Sequence, residues 1–232
     1  MMTVLKANQR GHANFGWLDA NHSFSFGDYY NPKMMGFRAL RVINEDTISG
    51  GAGFPMHGHN DMEIITIVVE GVLEHKDTLG TSAQIKPGEV QYMSAGTGIR
   101  HSEYNPLTKE KTHLFQIWLL PDKTGHKPKY GQKSFVEALQ KKNLVLAVSQ
   151  DGRENSISMN QDASLYLGKI KKGESLPIEI APGRHAWLQM IQGDLSVNGQ
   201  NLKSSDALAT SETEKFELKA QSDTQFIFFD LA

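Results

Sequence analysis

The sequence predicts an all-β fold made of two tandem sandwich-type β-barrels with a few short helices. Short apolar stretches recur along the chain, and Gly, Pro, Asn and Asp separate them, which is typical of antiparallel sheets. A polar segment rich in Lys, Gly and Pro, residues 121–133, follows a strong strand, and the strand–turn pattern begins again after it. The segments IVVEGVLEH and QMIQGDLSV share one layout and indicate a diverged internal repeat. We therefore expect a first domain over residues 1–132 and a second over 133–232.

Several stretches have the length and hydrophobicity of strands. Some are almost continuously apolar, as expected of strands that lie between two packed layers. In chain order the predicted strands cover residues 38–44, 62–69, 71–76, 90–94, 112–120, 144–149, 164–170, 186–192, 194–198, 215–219 and 225–231. The clearest helix candidate is the short amphipathic segment 134–141.

Composition narrows the classes of function. The net charge of −2 and the lack of a basic block argue against direct binding to nucleic acid. No apolar run reaches the roughly 18 residues that span a bilayer, and the first residues lack the apolar core of a secretory signal, so we expect a cytoplasmic protein without membrane contact. The chain has no cysteine and nine histidines, so any metal must be held by histidines and carboxylates.

Two short patches carry the strongest chemical signal: His57 with His59, and His101 with Glu103. Each patch reads ligand-x-ligand, and side chains two residues apart on a strand point to the same face. A fold that brings the two patches together would place three imidazoles and one carboxylate around one ion. This ligand set suits Fe, Mn, Co, Ni, Cu or Zn.

The wider sequence around these patches resembles a known family. Residues 51–63 read Gly-x5-His-x-His-x3-Glu and resemble the first cupin motif, and residues 98–105 read Gly-x2-His-x3-Asn and resemble the end of the second. The longer strings at 22–46, 57–80 and 87–105 are similar to the pirin family of bicupins, in particular to its bacterial branch with quercetin dioxygenase activity. The resemblance is close in the first half and loose in the second.

The resemblance implies two cupin-type barrels with one non-haem metal in the first and none in the second. It assigns His57, His59, His101 and Glu103 as the metal ligands. Ordinary cupins use the glutamate after the His-x-His instead, which here is Glu63, so the two carboxylates compete for this role. Two departures are visible: a glycine stands between the first two histidines, where the family usually has proline, and Ile67 replaces an aromatic residue.

Other polar and aromatic residues are candidates for supporting roles. Glu63, His75 and Asn105 are predicted to contact and orient the metal ligands without binding the metal themselves. The pattern is also compatible with a purely structural role for His75 and with turn capping by Asn105. His22, Phe24 and Phe26 form a period-2 row. This row predicts either a strand that packs on the barrel or a strand whose two phenylalanine rings, Phe24 and Phe26, line the substrate cavity.

The activity that the resemblance implies is ring-opening dioxygenation of a flavonol such as quercetin, with O2 consumed and CO released. One divalent metal, Fe(II) as the first choice, would be the cofactor, and Glu103 would be the catalytic base. The alternative is a metal-binding regulatory protein that modulates a transcription factor or a metabolic enzyme without turnover. Both functions use the same fold and ligands, so the discriminating property is turnover.

Overall fold

The computed structural model describes residues 2–232 and confirms the all-β prediction. The first strands are β1 (Met2–Leu5), β2 (Gly11–Asn14), β3 (Leu18–His22), β4 (Leu40–Ile48), β5 (Gly53–His59), β6 (Glu63–Glu70), β7 (Leu73–Asp77), β8 (Ser82–Ile85), β9 (Glu89–Ser94), β10 (Ile99–Tyr104), β11 (Thr112–Leu119) and β12 (Lys129–Ser134). Helix α1 (Val136–Lys141) follows. The remaining strands are β13 (Leu144–Ser149), β14 (Ile157–Ser158), β15 (Ala163–Ile170), β16 (Ser175–Glu179), β17 (His185–Gln192), β18 (Leu195–Val197), β19 (Gln200–Leu202), β20 (Ala207–Thr210), β21 (Lys215–Ala220) and β22 (Thr224–Leu231).

The chain forms two compact units. The N-terminal barrel comprises Gly11–Ser134 with Met159–Gln161, and the C-terminal barrel comprises residues 2–10, Phe135–Ser158 and Asp162–Ala232. In the N-terminal barrel, a seven-stranded sheet in the order β12-β9-β6-β11-β4-β3-β2 accompanies a four-stranded sheet in the order β5-β10-β7-β8. The C-terminal barrel repeats this arrangement with β1-β20-β17-β22-β15-β13-β14 and β16-β21-β18-β19.

Apolar side chains explain the strands that the sequence predicts best. β6 and β11 lie side by side in the centre of the seven-stranded sheet, and most of their residues are buried. Each predicted strand has a counterpart, and the helix lies inside the predicted range 134–141. In the C-terminal barrel, Phe226, Phe228, Leu188 and Met190 belong to a large apolar core.

One part of the predicted domain division is corrected. Residues 2–10 belong to the C-terminal barrel, not to the first domain, because β1 pairs with β20 from Met2 opposite Thr210 to Leu5 opposite Ala207. Lys6 adds a hydrogen bond from Nζ to Asp206 of 2.8 Å. Residue 1 of the predicted first domain lies outside the described residues. The remaining division falls at Ser134, two residues from the predicted boundary.

Residues 121–133 are not wholly a linker, because β12 occupies their second part and pairs with β9. Across residues 2–232, no helix combines the length and hydrophobicity that crossing a membrane requires.

Candidate metal centre

Three histidines from two neighbouring strands converge in the N-terminal barrel. β5 and β10 pair in antiparallel fashion, with His101 directly opposite His57 and Ile99 opposite His59. Their potential ligand atoms all lie within 4.8 Å of one another, and Nε2 of His59 is 3.1 Å from Nε2 of His101. His101 follows His57 and His59 by about 40 residues in the sequence, and the pairing of β5 with β10 brings the three together.

A β-bulge sets the geometry on the β5 side. The register changes after the His101–His57 pair, so that Glu103 lies opposite Phe54 and β5 carries one extra residue between the two pairs. Nδ1 of His57 lies 2.8 Å from the carbonyl oxygen of Pro55, to which it donates as N–H. This hydrogen bond leaves Nε2 of His57 as the nitrogen available to a metal.

His101 is in contact with His75. Nδ1 of His101 lies 3.3 Å from Nδ1 of His75, and Nε2 of His75 lies 3.0 Å from Oδ2 of Asp77. The amide nitrogen of Gln91 lies 3.3 Å from the same His75 nitrogen. The His75 and Asp77 side chains are fully buried. The contact with His75 occupies Nδ1 of His101, and the supporting role of His75 stays a prediction.

The environment lowers the pKa values of His59 and His101. Burial, followed by the neighbouring His57, lowers the pKa of His59 to about 4. Burial, with His57, His59 and His75 nearby, also lowers the pKa of His101 well below its usual value. A neutral imidazole has a free lone pair for a metal. The three imidazoles, whose potential ligand nitrogens lie within 4.8 Å of one another, therefore fit a divalent transition metal.

Glu103 lies beside the histidines on the same face of β10. Ile99, His101 and Glu103 are buried, whereas Arg100 and Tyr104 are exposed. Nε2 of Gln116 donates to both oxygens of the Glu103 carboxylate, at 3.0 and 2.9 Å. Burial raises the pKa of Glu103, and the hydrogen bonds from Gln116 oppose this shift. Within residues 2–232 the converging group consists of the three histidines, and the role of Glu103 as the fourth ligand stays a prediction.

Glu63, the competing carboxylate, is bound elsewhere. It accepts hydrogen bonds from the hydroxyls of Tyr92 and Ser94 and from the backbone and side-chain nitrogens of Asn160. The prediction that Glu63 supports the metal ligands is therefore corrected, because its hydrogen bonds hold β6, β9 and the 159–161 segment together.

Asn105 is also a structural residue. Its Nδ2 donates to the carbonyl oxygens of Ile48 at 3.1 Å and Glu110 at 2.8 Å, and its Oδ1 accepts from the Leu107 N–H at 3.0 Å. These bonds shape the loop before β11. Of the two roles left open for Asn105, the structure supports turn capping.

A cavity of about 450 Å³ is within the size range of small-molecule sites, although the three histidines are not among its wall residues. Its wall residue Phe54 has its ring centroid 6.3 Å from that of His57. Phe26 and Phe54 are part of its wall, together with His12, Ala13, Phe15, Leu18, Ala20, His22, Gly27, Asp28, Tyr29, Asn44, Asp46 and Gln116. Phe26 packs edge-on against Trp118 at 5.4 Å, and Trp118 packs against His59 at 4.9 Å, so aromatic rings connect the cavity to the metal site. Phe24 is not part of the wall. Phe24 is buried, with 1 % of its surface exposed. It lies beyond His22, where β3 ends, so the period-2 alternation of the strand does not extend to it.

The sequence interpretation missed four residues at the site: Asp46, Asp77, Gln91 and Gln116. Asp46, Gln91 and Gln116 are polar residues on strands that otherwise pack mostly inward, and this was the available signal. Asp77 ends the more polar strand β7 and carried no such signal. Asp46 is the most unusual, because its Oδ1 is buried without a hydrogen-bond partner at the cavity wall. Burial, followed by Glu103 and Glu45, raises the pKa of Asp46 to about 8.

Comparison with known proteins agrees with this geometry. Residues 4–119 match the family model described as Pirin, and residues 146–231 match the one described as Quercetinase C-terminal cupin domain. The chain is 48 % identical to a quercetin 2,3-dioxygenase of Escherichia coli over 231 residues, covering 100 % of this chain and 99 % of that protein. It is 38 % identical to a pirin-like protein of Caulobacter vibrioides, covering 96 % of each chain.

A solved structure also carries a metal. The bacterial pirin YhhW of Escherichia coli, crystallised in complex with nickel(II), superposes with a TM-score of 0.95 at 46 % identity, covering 100 % of this chain and 99 % of that one. With two family models, full-length relatives and the three-histidine site in agreement, the chain belongs to the pirin family of bicupins.

Proposed function

We propose that this protein is a metal-dependent dioxygenase that opens the heterocyclic ring of flavonols such as quercetin, consuming O2 and releasing CO. The observation that carries the proposal is the convergence of three imidazoles, which Phe54, and Phe26 through Trp118, connect to a cavity of about 450 Å³. The names of its relatives support the same activity. Fe(II) is the first candidate for the metal, and nickel is supported by the complex of the similar structure.

The metal would be held by His57, His59 and His101, with Glu103 as the fourth ligand. When bound, it would lower the pKa of a coordinated hydroxyl group and leave positions open for other ligands. The chain's own residues supply position and proton transfer. Glu103 would accept the proton of the flavonol 3-hydroxyl, since it is a carboxylate one hydrogen bond away from the cavity residue Gln116.

The cavity wall would hold the substrate. Phe26 and Phe54 offer flat apolar surfaces to an aromatic ring system, and Trp118 lies between Phe26 and the ligand His59. Such a wall excludes water from the electron-rich deprotonated flavonol, whose reaction with O2 opens the ring. The two atoms of O2 bond to C2 and C4 of the flavonol, the C2–C3 and C3–C4 bonds break, and C3 leaves with its own oxygen as CO. Both atoms of O2 remain in the organic acid, so the reaction needs no external reductant.

The test combines elemental analysis with an oxygen electrode. Protein purified without added metal is analysed and then assayed with a panel of flavonols, and separate samples are reloaded with Fe(II), Mn(II), Co(II), Ni(II) or Cu(II). We expect O2 consumption in equal amount to flavonol with at least one metal. A protein that holds its metal but consumes no O2 with any flavonol contradicts the proposal and favours the regulatory alternative.

A further inference from the structure

One transverse row of residues crosses the whole seven-stranded sheet of the N-terminal barrel and is polar on nearly every strand. Neighbours in the row are directly paired between adjacent strands. From one edge to the other the row reads Gly11, His22, Asn44, Gln116, Thr66, Gln91 and Gln132. Directly paired residues share one face of a sheet and lie close enough to interact.

The row interrupts an apolar surface. On β6 the positions two residues before and after Thr66 are Ile64 and Val68, both buried. On β11 the positions around Gln116 are Leu114 and Trp118. Side chains two apart on a strand share a face, so the row is a polar band in an otherwise apolar layer.

Two members of the band reach the metal site on the opposite sheet. Gln116 donates to both carboxylate oxygens of Glu103 at 2.9 and 3.0 Å. Gln91 lies 3.3 Å from Nδ1 of His75, the ring that contacts His101. The seven-stranded sheet therefore contacts Glu103 directly and reaches His101 through His75.

The band is not explained by stability. Thr66 Oγ1 and Gln91 Oε1 are buried and have no hydrogen-bond partner. A buried polar group without a partner lowers the stability of the folded chain relative to a satisfied one. Polar residues in such places are expected where function requires them.

We propose that Gln116 and Gln91 are positioning residues of the metal centre: Gln116 fixes the carboxylate of Glu103, and Gln91 fixes the His75 ring behind His101. This rests on the proposed metal role of Glu103 and is independent of flavonol turnover. Supporting groups of this kind orient metal ligands, and their removal typically weakens metal binding about 10- to 100-fold.

The test is Co(II) titration of the full-length protein, followed by calorimetry and by the visible absorption of the bound ion. Gln116→Met and Gln91→Met keep the side-chain length and remove the amide. The matched control is Gln132→Met, in the same row, because the Gln132 amide bonds to Gln84, Glu89 and Tyr130 and to none of the three histidines, His75 or Glu103. Gln116→Asn, which withdraws the amide by one methylene, is a second variant with a smaller change in polarity.

We expect Gln116→Met, Gln116→Asn and Gln91→Met to weaken Co(II) binding about 10- to 100-fold. The two Gln116 variants should also change the visible spectrum, which reports the coordination of the ion and would not respond to a loss of stability alone. Gln132→Met should match the unmodified protein in affinity and spectrum. Wild-type affinity and spectrum in all the Gln116 and Gln91 variants, or an equal loss in Gln132→Met, would overturn the inference. If the unmodified protein bound no Co(II), the metal centre itself would be refuted.

Discussion

At the scale of single residues, two fully buried carboxylates of the N-terminal barrel differ in their partners. Glu103 faces the same side as His101 and is held by one amide, whereas Glu63 accepts from two hydroxyls and two nitrogens. The first arrangement leaves carboxylate lone pairs available to a metal or a proton. The second uses them for structure.

Exchanging each carboxylate for an amide should separate these roles. Glu103→Gln should retain part of the metal through the three histidines and lose turnover by roughly 100-fold or more, the range typical of a lost general base. Glu63→Gln should keep the metal but lower the free energy of unfolding by about 1–3 kcal/mol, since its new N–H groups face donors. Metal analysis, O2 uptake and urea unfolding of both variants check this. The opposite ranking, with metal lost from Glu63→Gln and an active Glu103→Gln, would show that the ordinary cupin ligand set applies.

Asp46 predicts a pH dependence of stability in the metal-free protein. Its folded-state pKa of about 8 lies above its ordinary value of 3.8, so the folded chain holds a proton that the unfolded chain has released between these values. Folding stability therefore falls as pH rises through this interval. Asn at position 46 does not titrate, so Asp46→Asn removes this pH dependence. The free energy of unfolding of the variant should therefore exceed that of the unmodified protein by more near pH 8 than near pH 5. Equal gains in urea unfolding at the two pH values would contradict the assignment.

At the scale of elements, period-2 spacing was sufficient to predict which side chains share a face. It placed His57 with His59 and His101 with Glu103, although β5 and β10 are too polar to stand out as strands. The bulge in β5 and the pairing of His101 with His57 could not be predicted, because register depends on contacts between distant segments. For the same reason, Gln116 and Gln91 could be seen as polar residues in apolar strands but not as neighbours of Glu103 and His75.

Gly58, between the predicted ligands His57 and His59 of β5, offers a test at this scale. Its backbone is outside the left-handed region, and an added Cβ would meet its nearest neighbour, Arg100 Cγ, at an ordinary 3.6 Å. Gly58→Ala should therefore stabilise the metal-free protein by about 0.4–1 kcal/mol, by reducing the freedom of the unfolded chain. Gly98→Ala is the control, because Gly98 has φ +136° and a Cβ there would lie 3.2 Å from Asn60 Oδ1. Thermal unfolding should rank Gly58→Ala above the unmodified protein and Gly98→Ala below it, and the reverse order would contradict this reading of β5.

At the scale of the whole molecule, sequence order and domain membership differ at two places. Residues 2–10 supply the edge strand of the C-terminal barrel, and Met159–Gln161 belong to the N-terminal barrel, where Asn160 binds Glu63. The repeat pattern predicted two barrels and their boundary near residue 133. The repeat pattern could not predict that these two segments belong to the other barrel, because short segments carry little information about the sheet that they join.

Removing residues 2–10 should therefore destabilise the C-terminal barrel, although the rest of that barrel begins at Phe135. The deletion exposes β20 and removes the hydrogen bonds of Lys6 and Ala7 to Asp206. We expect faster amide hydrogen exchange at Ala207–Thr210 and unchanged metal binding by the N-terminal barrel. Faster amide hydrogen exchange in β2 and β3, with unchanged exchange in β20, would instead assign residues 2–10 to the N-terminal barrel.

The central claim is that one chain holds one divalent metal through His57, His59 and His101. Titration of the metal-free protein with Ni(II), with metal content measured after removal of the unbound ion, tests it most directly. We predict one equivalent per chain, a large loss in His101→Ala, and no bound ion in the His57→Ala/His101→Ala double variant, because two of three converging imidazoles are then absent. His12→Ala/His126→Ala, which removes two histidines outside the cluster, should still bind one equivalent. Full Ni(II) occupancy in the His57→Ala/His101→Ala variant would contradict the account.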